Sequence, residues 1–505
     1  MRKSSVLNWR ILVKVYSLSA TQWVIGITII LLFTVAYGVL VLNKYWQFEY
    51  FYRDNVLFDS ALWKVAEFKE PIIKHHILGE INILGDHFSL TIFSLSPLYR
   101  LFPTQEIILI SMVILYGASA YLALLVGFKL LKSRLLTYAL LIAYFLYLGT
   151  QNGFLYGFHD VYFAVFFFFL AIYGLVIDNR GLYWLGIVLL LLTKEGLAVV
   201  VVGVGWFILL SYPRKKNLGY STIILAVVYF ILVIRLVIPS FSGRFFYTEA
   251  GLPRNFAELF QALTVPSQKL TTIFVSVSSF AFLPLANIAT LPLVLQDFFL
   301  RFVFATPGNV QYTLGYHYNV TTSALLLFSS IWSLHLLQKK KRLGDFLPLL
   351  ALAILVATLY YHRFSNPRGP LGLVLNRQFY QITENNRFLW ELVSRTPLKG
   401  KIMSQNHLGY ALSHRDVFEM ATHPQEFNKI SPDYVVLDLR PGQNPNNFVP
   451  LTEERTREMS QLLLESGKYR INFAKAKMYI LEKVKEDCDD FANPYCYFKP
   501  WDQKP

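Results

Sequence analysis

The strongest constraint on this chain is the recurrence, at short intervals, of long apolar stretches almost free of charge. After a first run at residues 24–42, further runs occupy 107–128, 135–150, 161–177, 182–210, 220–238, 270–304, 320–337 and 346–361. A helix needs roughly 20 apolar residues to cross a hydrocarbon core about 30 Å thick. Most runs meet or approach that length, so the chain is expected to fold in lipid. Two runs are too long for one crossing. At 1.5 Å per residue, 182–210 would reach about 43 Å as a single helix. Lys194-Glu195-Gly196 interrupts that run and predicts a tight hairpin, and Pro284 predicts a break within 270–304. The count is then about eleven crossings. Composition agrees: 54% of the 505 residues are hydrophobic and only 16% are charged, against about 25% charged in soluble chains. A simple water-soluble enzyme is excluded.

A formal charge of +15 raises the question of nucleic acid. Lys and Arg, however, sit in short clusters between the apolar runs, where they orient helices, so nucleic acid is not expected as a partner. Residues 1–14 are basic, and no small-residue cleavage site follows the run 24–42, which reads as an uncleaved first helix with a cytoplasmic N-terminus. That orientation puts residues 129–134, Arg180, 214–216 and 339–342 in the cytoplasm, as the positive-inside rule requires. The expected location is the cell (plasma or inner) membrane.

The opposite face receives a long first loop, 44–105, the turn 151–160, the Lys194-Glu195 tip, the loops 239–269 and 306–319, and everything beyond His362. The fold class expected is an all-α polytopic membrane domain, 1–362, plus a small soluble extracytoplasmic α/β domain, 363–505. In the latter, 401–404 and 434–439 read as buried strands, 453–466 as a helix and 469–484 as a hairpin. No glycine-rich phosphate fingerprint follows either strand, so nucleotide binding is not expected. The two cysteines, Cys488 and Cys496, fall in the tail and leave a disulfide and two free thiols both open.

Several polar residues on that outer face need an account. Asp59 in the first loop either activates an acceptor hydroxyl as general base, holds a divalent cation (magnesium or manganese) against a phosphate leaving group, or caps a helix in a solvated loop. His159 and Asp160 open an apolar helix, with Asp160 either its N-cap or half of a functional His-carboxylate pair. Lys194 and Glu195 lie within or just below the headgroup level, where ionisable groups are costly and functional by default. The alternative is a mutual ion pair that stabilises the turn. Arg235 either snorkels or offers its guanidinium fork to a lipid phosphate. Asp297 and Arg301, spaced i,i+4, are expected to satisfy each other. Tyr316 and His317 line a sugar or headgroup cleft or belong to an interfacial aromatic belt. His407 and His414 in the tail either help that domain grip an acceptor or are surface residues, and no site is assigned there.

The order Phe58-Asp59-Ser60-Ala61-Leu62-Trp63, His87-Phe88-Ser89, 97–103, Phe158-His159-Asp160, Lys194-Glu195, Ile238-Pro239-Ser240-Phe241 and Tyr316-His317-Tyr318 resembles the prokaryotic membrane proteins of domain-of-unknown-function family 2079. That family is similar to GT-C glycosyltransferases, multi-pass enzymes that take a sugar from a polyprenyl-phosphate carrier at the outer membrane face. The resemblance implies a GT-C-like fold and an inverting transferase whose partners are membrane lipid, a polyprenyl-phosphate sugar donor and an unidentified acceptor. It matches Asp59 to the catalytic acidic residue of the first outer loop, and His87, His159 and Glu195 to other polar family positions. The expected site then has Asp59, His87 and Glu195 in catalysis, with His159, Asp160, Lys194, Arg235, Tyr316 and His317 binding substrate. The chain departs from the pattern at Asp160, where Pro is common, and lacks an Asp-x-Asp signature in the first loop, so the divalent cation stays unassigned. The rival expectations are a multi-pass transporter or lipid flippase, and a non-catalytic envelope scaffold.

Overall fold

The apolar runs form helices close to the expected places. The computed structural model describes residues 19–75, 78–244, 253–303, 310–339 and 346–484; Cys488 and Cys496, and with them the disulfide question, lie outside these. The chain divides into two compact units. One is drawn from Met1–Val41, Leu84–Ser94 and Leu109–Phe379, the other from Leu42–Ile83, Leu95–Ile108 and Tyr380–Pro505.

The first unit is helical. Among the described residues, five helices are long and apolar enough to cross a membrane: Ala20–Trp46, Gln105–Leu130, Pro213–Ser242, Tyr318–Leu337 and Leu347–Phe364. Val161–Val176, Arg180–Leu191 and Glu195–Ser211 are apolar but shorter. The run 182–210 breaks at Lys194 as expected. The run 270–304 separates into Gln268–Ser278 and Leu291–Val303, on either side of a turn in which Ala281 and Phe282 take φ of +50° and +59°. One reading is corrected: 135–150 is two helices, Arg134–Leu146 and Leu148–Tyr156, with Tyr147 at ψ 125° between them. The Tyr147 hydroxyl lies 2.5 Å from Ser276 Oγ, a buried contact that holds the bend.

Tyr318–Leu337 is the core helix of this unit, buried continuously from Asn319 to Leu334. The helices Ala20–Trp46 and Leu347–Phe364 instead expose apolar side chains such as Leu32 (65%) and Leu349 (62%), the pattern of surfaces solvated by lipid rather than water. Val161–Val176 and Arg180–Leu191 pack through glycine. A Cβ at Gly174 would stand 2.4 Å from the Tyr183 amide nitrogen, and one at Gly186 2.4 Å from that of Ala171. The obstacles are backbone, so neither contact yields to a side-chain rotation; small residues let the two helices touch main chain to main chain. Asn179 fixes the turn between them by accepting from Leu182 N at 3.0 Å. Gly186→Leu is therefore expected to pry this hairpin open, with loss of monodisperse protein on detergent extraction. An unchanged thermal melt would refute the packing argument.

The second unit carries a two-stranded hairpin, β1 (Ile72–His75) with β2 (Gly79–Asn82), and a five-stranded sheet. The sheet strands are β3 (Lys401–Ser404), β4 (Asp416–Glu419), β5 (Tyr434–Asp438), β6 (Tyr469–Lys475) and β7 (Met478–Lys483), in the order β4-β3-β5-β7-β6. β4, β3 and β5 are parallel, and the β6–β7 hairpin joins antiparallel to β5. Met403, Val435 and Leu437 from the strands pack on Met459 and Leu463 of the helix Glu453–Glu465. The expected strands, helix and hairpin are all present; β4 and the helix Glu384–Arg395 are additions. The helix Arg53–Ala66 belongs to this unit. Just before it, Tyr52 receives Asn406 as acceptor for its amide at 2.8 Å and donates its hydroxyl to Val417 O at 2.9 Å.

Candidate functional site

Four segments of the first unit converge: 84–94, the turn 157–160, the turn 192–197 and 311–319. The first is fastened to the third by main chain, since the Leu90 and Thr91 amides both donate to Leu192 O, at 3.0 and 3.3 Å. Thr91 Oγ1 adds a bond to Thr193 Oγ1 at 3.1 Å. That fastening sets His87 Nδ1 at 2.7 Å from Glu195 Oε1, while the Phe88 amide donates to Glu195 Oε2 at 3.1 Å. Gly157, at φ 110° and ψ −162°, takes a conformation open only to glycine and swings the chain out of the preceding helix. His159 and Asp160 follow. Asp160 Oδ1 lies 2.6 Å from His159 Nδ1, and Oδ2 accepts from Ser89 Oγ at 2.7 Å with Lys194 Nζ at 3.8 Å. His317 stacks on His159 with ring centroids 3.5 Å apart, is 2% exposed, and has no hydrogen-bond partner at either ring nitrogen.

A second network holds the His317 segment. Arg301 donates Nη1 to Asp297 (3.2 Å) and Thr322 (2.7 Å), Nη2 to Asn319 (2.9 Å) and Nε to Gln311 O (3.0 Å). Asn319 in turn donates to Thr313 O and Tyr316 O. The expected Asp297–Arg301 pair is there, and it fastens the whole 311–319 approach to the core helix.

These contacts revise two alternatives. Asp160 makes no capping hydrogen bond to its helix; its carboxylate is spent on His159, Ser89 and Lys194. Lys194 and Glu195 pair not with each other but with Asp160 and His87. The structure thus brings together His87, His159, Asp160, Lys194, Glu195 and His317, with Ser89 as an addition whose only sequence signal was its place in His87-Phe88-Ser89. Tyr316 packs edge-on against Tyr156 at 5.0 Å, bordering the group. Arg235 sits exposed on a π-helical turn, Val233–Val237, and no polar contact joins it to the cluster.

His87 is the member whose protonation the surroundings shift most usefully. Burial and Lys194 act to lower its pKa, but Asp86 and Glu195 outweigh them and the net direction is upward. Its side chain is 21% exposed, against 18% for that of Lys194.

Asp59 belongs to the second unit. It is fully buried inside the helix Arg53–Ala66, so it is neither a solvated loop residue nor a cap. Its carboxylate accepts from the Tyr99 hydroxyl and from Ser413 Oγ, and His414 Nε2 lies 3.1 Å from Oδ2. His414 stacks on Trp63, at 5.5 Å and 9°. His407 is 2% exposed. Neither histidine fits the surface reading.

The family described as Predicted membrane protein (DUF2079) matches residues 44–477. This chain belongs to that family. The match takes in most of both units and every residue of the cluster, and with the apolar helices it makes this DUF2079 chain a membrane protein. Comparison with curated proteins gave no match. The cluster's donors also bear on the divalent cation. Magnesium-like ions ask for about six oxygen ligands, whereas Asp160 and Glu195 already carry cationic or N–H and O–H partners at both oxygens. The pair does not fit such a cation.

Proposed function

We propose that this DUF2079 protein is a GT-C-like inverting glycosyltransferase of about eleven crossings, with the cluster on the extracytoplasmic side of the cell membrane and a polyprenyl-phosphate sugar as donor. The observation that carries the reading is a buried group of six ionisable side chains, gathered from four segments at the ends of apolar helices, in which His317 lacks any hydrogen-bond partner. Charges at such depth are expensive and mark sites of action, and an unsatisfied buried ring awaits a ligand.

In this reading His87, its Nδ1 held by Glu195, accepts the proton of the acceptor hydroxyl at Nε2. The acceptor oxygen bonds to the anomeric carbon, and the bond from that carbon to the phosphate oxygen breaks with inversion. Lys194, too far from Asp160 for a hydrogen bond, and His317 meet the charge growing on the departing polyprenyl phosphate. Asp59, to which the resemblance gives base catalysis, is surrounded by three donors and has no exposed surface, so we assign it a positioning role in its own unit.

The test is transfer of radiolabelled sugar from polyprenyl-phosphate donors in membranes holding the protein, with and without a chelator to report on divalent cations. His87→Ala and Glu195→Gln are expected to lose about 10²–10⁴-fold. Because the neutral imidazole is the base and its pKa is raised, wild-type activity is expected to climb with pH through an inflection above the usual histidine value of about 6.5. Full activity in both variants, with loss confined to Asp59→Asn, would return the base to Asp59. Absence of transfer from any donor would overturn the transferase. A second reading, a transporter or lipid flippase, draws support from the interrupted helices at Tyr147 and Ala281-Phe282. It would appear in the same membranes as Lys194-dependent movement of the lipid-linked sugar without transfer.

A further inference from the structure

The sheet of the second unit builds a cleft of its own. β3 and β5 are parallel neighbours, yet the chain leaves β3 toward β4 on one side and leaves β5 toward the β6–β7 hairpin on the other. Where connections diverge in this way, a crevice opens beyond the carboxyl ends of the strands, the usual ligand position in open α/β sheets. A cavity of about 250 Å³ lies there, lined by His407 after β3, by Arg440 and Gln443 after β5, and by Asn447, Asn385 and Phe48 among others.

Its polar groups are built in and incompletely used. His407 is 2% exposed, and neither ring nitrogen has a hydrogen-bond partner, with Nε2 stopping 3.6 Å from Asp438 Oδ2. Arg440 gives Nε and Nη2 to the Asp438 carboxylate at 2.8 and 2.5 Å and leaves Nη1 buried without a partner. Gln443 Nε2 ties the turn down by donating to Asp438 O (2.9 Å) and Arg440 O (2.8 Å). Buried polar groups in native proteins are nearly always paired, and here two of the residues that line the cleft, one after each strand, keep ring or guanidinium nitrogens without a hydrogen bond. The surplus on offer is a guanidinium N–H, an imidazole ring and amides at the rim. The Asp438 carboxylate lies against both Arg440 and His407. A phosphate or carboxylate would have to compete with Asp438. A ring of neutral hydroxyls, each both donor and acceptor, would not.

We propose that this cleft is a binding site for a neutral sugar ring. Its volume, just under the usual 300–1,000 Å³ of ligand pockets, suits one ring better than an extended chain, with Phe48 as an apolar part of its lining. The proposal does not depend on transferase activity, since binding is read without turnover and either can fail alone.

The test uses the full chain in detergent, titrated by calorimetry and saturation-transfer NMR with a panel of neutral monosaccharides, uronic acids and sugar phosphates. At least one neutral sugar is expected to bind, and His407→Gln to weaken it at least tenfold. Because His407 is buried, a second variant guards against misfolding. Asn385→Trp adds bulk at an exposed rim position, outside the Thr383–Asn386 cap of its helix, and is expected to block binding with an unchanged melting temperature. No neutral sugar bound, binding indifferent to Asn385→Trp, or preference for the charged sugars would each overturn the proposal.

Discussion

Asp160→Asn is expected to lose about 100-fold or more of transfer activity and to melt well below the wild type. The substitution keeps the shape and the Ser89 contact but removes the one carboxylate that both Lys194 and His159 face. Removing one partner of a buried ion pair costs roughly 3–5 kcal/mol, because the other charge is left uncompensated. With 18% of the Lys194 side chain exposed, the lower end of that range applies. The companion variant separates fold from chemistry: Asp160→Asn with Lys194→Met removes both charges and is expected to regain most of the melting temperature while staying inactive. A single variant that melts like wild type would sink the electrostatic account, and an active double variant would sink the role of Lys194 at the phosphate.

The second large effect is expected at Asp297. Asp297 and Arg301 have side chains 10% and 6% exposed, so Asp297→Ala strands a guanidinium in the interior at a cost of about 3–5 kcal/mol. Arg301 also anchors Gln311, Asn319 and Thr322, so the damage extends to the segment that presents His317. The expected outcome is a lower melting temperature together with a raised KM for the lipid-linked donor. Replacing both, Asp297→Leu with Arg301→Met, is expected to restore stability, since well-packed apolar pairs often match buried ion pairs. It is not expected to restore KM, because Asn319 still lacks its donor. Recovery of both together would show that the network serves stability alone.

These two networks mark how far the sequence could be read. The break at Lys194 was legible because two adjacent charges and a glycine interrupt a 29-residue apolar run. β3 and β5 were legible as short apolar runs between turn residues. By contrast, the break at Tyr147 has no Pro to announce it, only Gly149 two residues on; a tertiary bond to Ser276 holds it. Asp160 looked like an N-cap because local rules see only the helix that follows, whereas its partners, Ser89 and Lys194, lie 71 residues upstream and 34 downstream. The surroundings of Asp59 were further still from view, because Ser413 stands 354 residues away and nothing in a single chain links the two. β4 went unseen since Asp416-Val417-Phe418-Glu419 offers only two apolar residues.

The fastening of 84–94 to the turn at Leu192 also imposes a timetable. His87 is synthesised 108 residues before Glu195, and Asp160 precedes Lys194. Until the turn 192–197 is made, the His87 imidazole and the Asp160 carboxylate stand without the Glu195 and Lys194 charges that later match them. Hydrocarbon would reject them in that state, so both have to wait in interfacial water. Arrival of the turn 192–197 then delivers the cation and the second carboxylate together, so the cluster gains both missing charges in one step.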